Sequence, residues 1–271
     1  MELSWDNVLL AFALTLFAGL STGIGSAIAF LTKKTNKKFL SLSLGFSAGV
    51  MIYVSFVEIF PTAQEALREN YSEKIADVIV TISFFAGMGL IAIIDKLIPS
   101  YENPHEVKSV EGMDANQPHD KKLMRMGIFS ALAIGIHNFP EGLATFIAGL
   151  SNPEIAYPIA FAIAIHNIPE GIAVSVPIFF ATGSRKKAFK LSFLSGLSEP
   201  LGAIIGFFLI YTFIGINSVI LGILFALVAG IMVFISLDEL LPTAKEYGAH
   251  HLSIYGLVAG MALMAFSLLL F

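Results

Sequence analysis

The sequence predicts an all-α integral membrane protein: eight transmembrane helices in a 3+2+3 arrangement, with spans 1–3 and 6–8 forming an inverted repeat. Three observations carry this reading. The 271 residues are 56% hydrophobic and only 13% charged, with a mean hydropathy of +0.81, whereas a soluble domain carries about 25% charged residues. Eight apolar stretches are long enough to cross a hydrocarbon core, which takes roughly 20 residues. When eight spans alternate, 14 of the 16 basic residues fall on one side.

The spans are placed near residues 7–31, 40–60, 77–96, 127–150, 156–180, 191–211, 218–241 and 252–271. The first follows an acidic MELSWDN and runs too long for the apolar region of a signal peptide, so no cleaved leader is expected. Lys33, Lys34, Lys37 and Lys38 fill the first link. The third link, 97–126, mixes Pro, Gly, Asn and both signs of charge, and reads as a solvated loop. It is bordered by Lys96 and holds Lys108, Lys121, Lys122 and Arg125. Arg185, Lys186, Lys187 and Lys190 follow the fifth span, and Lys245 follows the seventh. Arg68 and Lys74 alone fall opposite. Basic links stay in the cytoplasm. The odd-numbered links, 97–126 among them, are therefore expected inside and both termini outside. A seven-span chain would scatter these charges. Spans 6 and 7 meet at a short link around Gly215–Asn217, and residues 1–271 form one transmembrane domain.

The chain repeats itself. AGVMIYVSFVEIFPTAQE at 48–65 matches AGIMVFISLDELLPTAKE at 229–246, with nine identities in 18 positions. GLSTGIG at 19–25 echoes GLSEPLG at 196–202, and FAGMGLIAI at 85–93 echoes VAGMALMAF at 258–266. Equivalent spans are five apart, an odd number, so they cross in opposite directions. Inverted repeats of this kind place a binding site near the membrane midplane, at the repeat interface.

A second repetition marks that site. IHNFPEGLA at 136–144 is followed by IHNIPEGIA at 165–173. On a helix, His137 and Glu141 share one face, as do His166 and Glu170. Asn138 and Asn167 project about 100° round from the neighbouring His. Pro140 and Pro169 deprive the carbonyls of Ile136 and Ile165 of their helical partners. From a turn near Pro153, Glu141 lies 12 residues before and His166 13 after; His137 lies 16 before and Glu170 17 after. At about 1.5 Å per residue these pairs come level, near mid-membrane. Glu199, in the SEP of span 6, reaches a similar depth. Within the spans there is no Lys or Arg apart from Lys96 at a boundary, so none accompanies Glu141, Glu170 and Glu199. A charged side chain at that depth costs about 2.5–3.5 kcal/mol even on the mild insertion scale. The three carboxylates therefore call for protons or a cation; one divalent ion leaves them at −1, two at +1. Imidazole and carboxylate together suit zinc and neighbouring first-row divalents.

Cysteine is absent, which excludes disulfides and thiolate ligands, and the net charge of −4 excludes a basic nucleic-acid surface. Met51 and Met232 are packing residues by default, with thioether ligation as the alternative. Glu58 and Glu239 lie near the ends of their spans, as solvated termini or as residues of an entrance and exit. His105, His119, His250 and His251 are expected at the surface.

These residues resemble a family. The doubled His-Asn-x-Pro-Glu-Gly, the Ser-Glu-Pro of span 6 and eight spans with a long third link are similar to the ZIP metal transporters, in their bacterial ZupT/GufA-like branch. The resemblance covers nearly the whole chain. It implies a carrier, not an enzyme, that takes divalent transition metals into the cytoplasm across the cell membrane: chiefly zinc, with iron, manganese, cobalt and cadmium as further substrates. It implies a two-metal site. One position uses His137, Glu141, Glu170 and His166, with Met51 close by. The other uses Asn138, Glu141, Asn167, Glu170 and Glu199, the two glutamates bridging. It further implies that spans 1, 4, 5 and 6 move against 2, 3, 7 and 8, with Gly19, Gly23, Gly25, Gly87 and Gly89 allowing close packing between the two groups. Related carriers are commonly homodimers. The rival readings are a metal exporter or channel, and a membrane-embedded zinc hydrolase, against which the absence of HExxH counts.

Overall fold

The computed structural model describes residues 5–31, 37–97, 135–136, 138–143, 145–147, 149–150, 153–209, 211–212, 217–247 and 250–270. Among the described residues there is no strand. The helices are α1 (Trp5–Leu31), α2 (Lys37–Val54), α3 (Phe60–Arg68), α4 (Glu73–Leu97), α5 (Pro153–Thr182), α6 (Arg185–Gly196), α7 (Ser198–Leu209), α8 (Ser218–Ile235), α9 (Leu241–Tyr247) and α10 (His250–Leu270). The described residues of 135–150 are helical too. This is the outcome demanded by apolar sequence in lipid, where each backbone polar group must find its partner within the segment.

Seven helical stretches are long and apolar enough to cross a membrane: Trp5–Leu31, Ser41–Arg68, Glu73–Ile94, Ile159–Val176, Arg185–Phe208, Ser218–Lys245 and His251–Leu269. The expected fourth span, 127–150, falls partly outside the described residues, and so does nearly all of the 97–126 loop. The distribution of side chains is that of a membrane protein. Leu9, Ile82, Phe85, Phe208 and Phe266 are exposed, while Thr15, Thr22, Ser26 and Ser192 are buried. The buried hydroxyls join helices. Ser26 Oγ lies 2.6 Å from Ser192 Oγ, and both stand 3.2 Å from the Gly171 carbonyl. That cluster ties α1, α5 and α6 together where lipid gives no hydrophobic reason to associate.

Turns are set by local chemistry. Gly183 takes a φ of 64° after α5, the left-handed conformation that glycine adopts without a Cβ penalty. Ser184 then caps α6, accepting from the Lys187 backbone N–H at 3.2 Å. Asn217 caps α8 in the same way through Ile220 at 3.0 Å. At the α3–α4 turn, Arg68 pairs with Asp77 (2.9 Å) and Glu73 (3.4 Å).

Two features depart from the sequence reading. The expectation that glycines pack one group of helices against the other is corrected. A Cβ at Gly19 would meet Gly196, and one at Gly25 would meet the Ile168 carbonyl, so these two lock α1 onto α6 and α5. Gly23 faces Phe193 of α6, and Gly87 locks α4 onto α8 at Leu227. A Cβ at Gly89 would meet nothing within 4 Å among the described residues. Interlocked backbones make rigid pairs, the opposite of a sliding surface. Second, the matching SFVEI and SLDEL segments, Ser55–Ile59 and Ser236–Leu240, each form one turn of π-helix. Each widened turn comes just before a proline, Pro61 or Pro242. A proline cannot supply the N–H that a regular helix requires at that point, and wide turns of this kind often mark functional positions.

Candidate metal centre

Three stretches converge on α1. Gly142 packs so closely on α7 that a Cβ would strike the Glu199 backbone, and Gly202 meets the Phe139 carbonyl reciprocally. The helix bearing Asn138 and Glu141 is thereby pressed against the helix bearing Glu199. From the other side, Gly171 meets the Thr22 carbonyl, which brings the Asn167–Glu170 turn of α5 onto α1. Small residues are what permit these approaches. α5 runs unbroken through Pro169.

Asn167 completes the arrangement. Its Nδ2 donates to the Ala18 carbonyl at 2.9 Å and to Glu199 Oε1. Both amide hydrogens are thus used, which aims Oδ1 away from those acceptors. Asn167 Oδ1 is buried without a hydrogen-bond partner among the described residues, and so are both Oδ1 and Nδ2 of Asn138. A buried polar atom left in that state costs about 1–3 kcal/mol. Asn138, Glu141, Asn167 and Glu199 have no exposed surface, and Glu170 has 4%. Each of the three glutamates is engaged by its surroundings. Residues 126–184 contain no Lys or Arg, and Lys190 is nine residues from Glu199 along the chain, about 13 Å of helix.

The structure therefore brings Asn138, Glu141, Asn167, Glu170 and Glu199 to buried positions on packed helices, with Asn167 and Glu199 in direct contact. Among the described residues no three His, Asp or Glu side chains gather around a single ion position. His137 lies outside the described residues, as does the side chain of His166. Met51 is fully buried in the main apolar core, 4.0 Å from the Ser47 hydroxyl. Glu58 and Glu239 are half-buried, one in each π turn, while Asp238 is exposed. Sequence reasoning missed the link from Asn167 to Ala18. Its signal was the pairing of small residues Ala18–Gly19 on α1 with the asparagine-bearing turn of α5. Chemically, the buried groups are amide and carboxylate oxygens, donor types that divalent cations take.

Comparison with known proteins agrees. The family described as ZIP Zinc transporter matches residues 4–95 and 95–268. A protein named Zinc transporter ZupT from Streptococcus mutans is 66% identical over 266 residues, covering 98% of this chain and 99% of that one. The protein of the same name from Chlorobium chlorochromatii is 63% identical over 98% of this chain and 99% of its own length. The one from Clostridium perfringens is 62% identical over 98% and 97%. A family of zinc transporters is not one of hydrolases, and the enzyme alternative falls. With a family match over almost its entire length and relatives above 60% identity, this multi-pass membrane protein belongs to the ZIP zinc transporter family.

Proposed function

We propose that the chain is a carrier that moves zinc, and related divalent transition metals, into the cytoplasm through a site of His137, Asn138, Glu141, His166, Asn167, Glu170 and Glu199. The observation that carries this is the burial of Glu141, Glu170 and Glu199 beside unsatisfied amides, in a region where residues 126–184 supply no Lys or Arg. A carboxylate in a dry interior needs a counter-charge, and a divalent metal held among these residues supplies one. Up to two ions would be held, Glu141 and Glu170 bridging. Met51 stands as a core residue beside the path rather than as a required ligand.

The described residues of 135–150 are helical, which supports an eighth span there and with it the 3+2+3 arrangement. The matched π turns at Ser55–Ile59 and Ser236–Leu240 support the inverted repeat. With eight spans, the basic links, 97–126 included, lie in the cytoplasm and both termini lie outside. Metal then enters on the side of Glu65 and Glu69. Glu73 and Asp77 on that side are engaged by Arg68. It leaves past Glu239. A homodimer is the assembly proposed by analogy with related carriers. Export or channel flow would need the same site with a different driving force.

The test is uptake of radioactive zinc into proteoliposomes containing the full chain. Glu141→Ala and Glu170→Ala should each abolish uptake while the protein remains in the membrane. Wild-type uptake by both would end the proposal, and ohmic conductance in a planar bilayer would replace carrier with channel.

A further inference from the structure

We propose that Thr22 of α1 is a positioning residue for Asn167: its hydroxyl and the Asn167 amide take turns on one acceptor, the Ala18 carbonyl, and the exchange frees Asn167 when metal leaves the site. The transport consequence rests on the carrier reading; the shared acceptor does not.

Threonines on these helices have a common habit. Thr15, Thr62, Thr81, Thr145 and Thr182 each donate to the carbonyl four residues back, at 2.7–3.0 Å, the bond that a helical hydroxyl finds nearest. For Thr22 that carbonyl belongs to Ala18. Yet Thr22 is fully buried and its Oγ1 has no hydrogen-bond partner among the described residues. The other buried hydroxyls of α1 are satisfied: Thr15 by Ala11, Ser21 by Ala18 and Ser26 by Gly171.

The cause is occupancy. The Ala18 oxygen already accepts from Asn167 Nδ2 at 2.9 Å and from Ser21 Oγ, besides the helical N–H of Thr22. A carbonyl oxygen has two lone pairs, so a fourth donor is shut out. No neighbouring side chain substitutes on the α6 side, where Thr22 Oγ1 lies 2.8 Å from the place a Cβ would take on Gly196. The Asn167 bond and the Thr22 bond therefore exclude each other. With Asn167 on the carbonyl, its Oδ1 is held for metal. When Asn167 turns away, Thr22 closes on Ala18 and offsets the lost bond, which eases release.

Thermal unfolding of the full chain in chelator tests the shared acceptor without metal. Thr22→Val keeps the shape and removes an unsatisfied hydroxyl, so alone it should leave the melting temperature equal or higher. In an Asn167→Ala background the carbonyl is vacated and Thr22 closes on it, so there the same substitution should lower the melting temperature. A fall in both backgrounds, or in neither, would overturn the proposal. Uptake of radioactive zinc into proteoliposomes tests the consequence. Thr22→Val should lower Vmax and KM together, each about fivefold, while Thr22→Ser, which retains the hydroxyl, should stay within about twofold of wild type. Unchanged Vmax and KM, a lower Vmax with KM unchanged or raised, or Thr22→Ser as impaired as Thr22→Val would also overturn it. Should Thr22→Val fail to fold, Thr22→Ala set against Thr22→Ser makes the same comparison. If Glu141→Ala takes up zinc normally, the carrier reading falls, and the unfolding cycle still decides whether the carbonyl is shared.

Discussion

Gly171 follows Glu170 and carries the contact that seats the site on α1, so replacing it isolates geometry from ligand chemistry. A Cβ at Gly171 would stand 2.8 Å from the Thr22 carbonyl carbon, nearer still to its oxygen, and 3.2 Å from the Ser26 backbone nitrogen. Comfortable carbon–carbon separation is about 3.5–4.0 Å, so α1 and α5 must part by about 1 Å. The obstacle is backbone, which no rotamer change relieves. Overpacking of this kind costs about 1–3 kcal/mol, here at the upper end. Alanine returns about 1 kcal/mol through helix propensity, leaving a net loss of about 2 kcal/mol. A displacement of about 1 Å at a positioned site lowers rates by about 10²-fold. Gly171→Ala should therefore unfold at lower temperature by circular dichroism and take up zinc about 10²-fold more slowly in proteoliposomes. Gly89→Ala is the matched control. It sits in an equally apolar helix with nothing within 4 Å of the new methyl, and should gain slightly in stability with unchanged uptake. A Gly171→Ala protein as stable and active as wild type, or a Gly89→Ala protein equally impaired, would refute the packing argument.

Three further outcomes follow from the same geometry. Asn167→Ala removes one donor from Glu199 and one from the Ala18 carbonyl; a hydrogen bond to a charged group contributes about 1.5–3 kcal/mol, so uptake should fall at least tenfold, measured beside a surface asparagine control such as Asn70→Ala. Glu199→Gln keeps an acceptor for Asn167 and removes a buried charge; its melting temperature in chelator should equal or exceed that of wild type, while the stabilisation added by zinc should shrink. Arg68→Ala breaks exposed pairs with Asp77 and Glu73. Such pairs contribute at most about 1 kcal/mol, so unfolding should shift little, and the shift should vanish in high salt.

Much of the site was legible because it breaks the rule of its surroundings. Glu141, Glu170 and Glu199 stand in apolar runs without Lys or Arg, and carboxyls at that depth call for protons or a cation. Helical spacing placed Asn167 and Glu199 at one depth, but it orders residues along an axis and says nothing of which faces meet across helices. The Asn167–Glu199 contact and the role of Ala18 were therefore hidden. For the same reason the glycines were assigned to the wrong surface. Gly19 and Gly25 announce close approach to some backbone, and only the packing reveals that it belongs to α6 and α5. The two π turns left a trace in the repeated Ser-x2-Glu-x2-Pro of 55–61 and 236–242. That pattern reads equally well as an ordinary helix ending before proline, since the widening depends on which carbonyl the displaced N–H finds.

The most direct measurement is zinc X-ray absorption on the full chain in lipid nanodiscs, loaded with zinc and washed free of excess. Nitrogen and oxygen neighbours at about 2.0–2.2 Å, with imidazole scattering and no sulfur, are predicted, and the spectrum should be lost in Glu141→Ala combined with Glu170→Ala. A spectrum of hydrated zinc, or a protein-bound spectrum that survives both substitutions, would contradict the account.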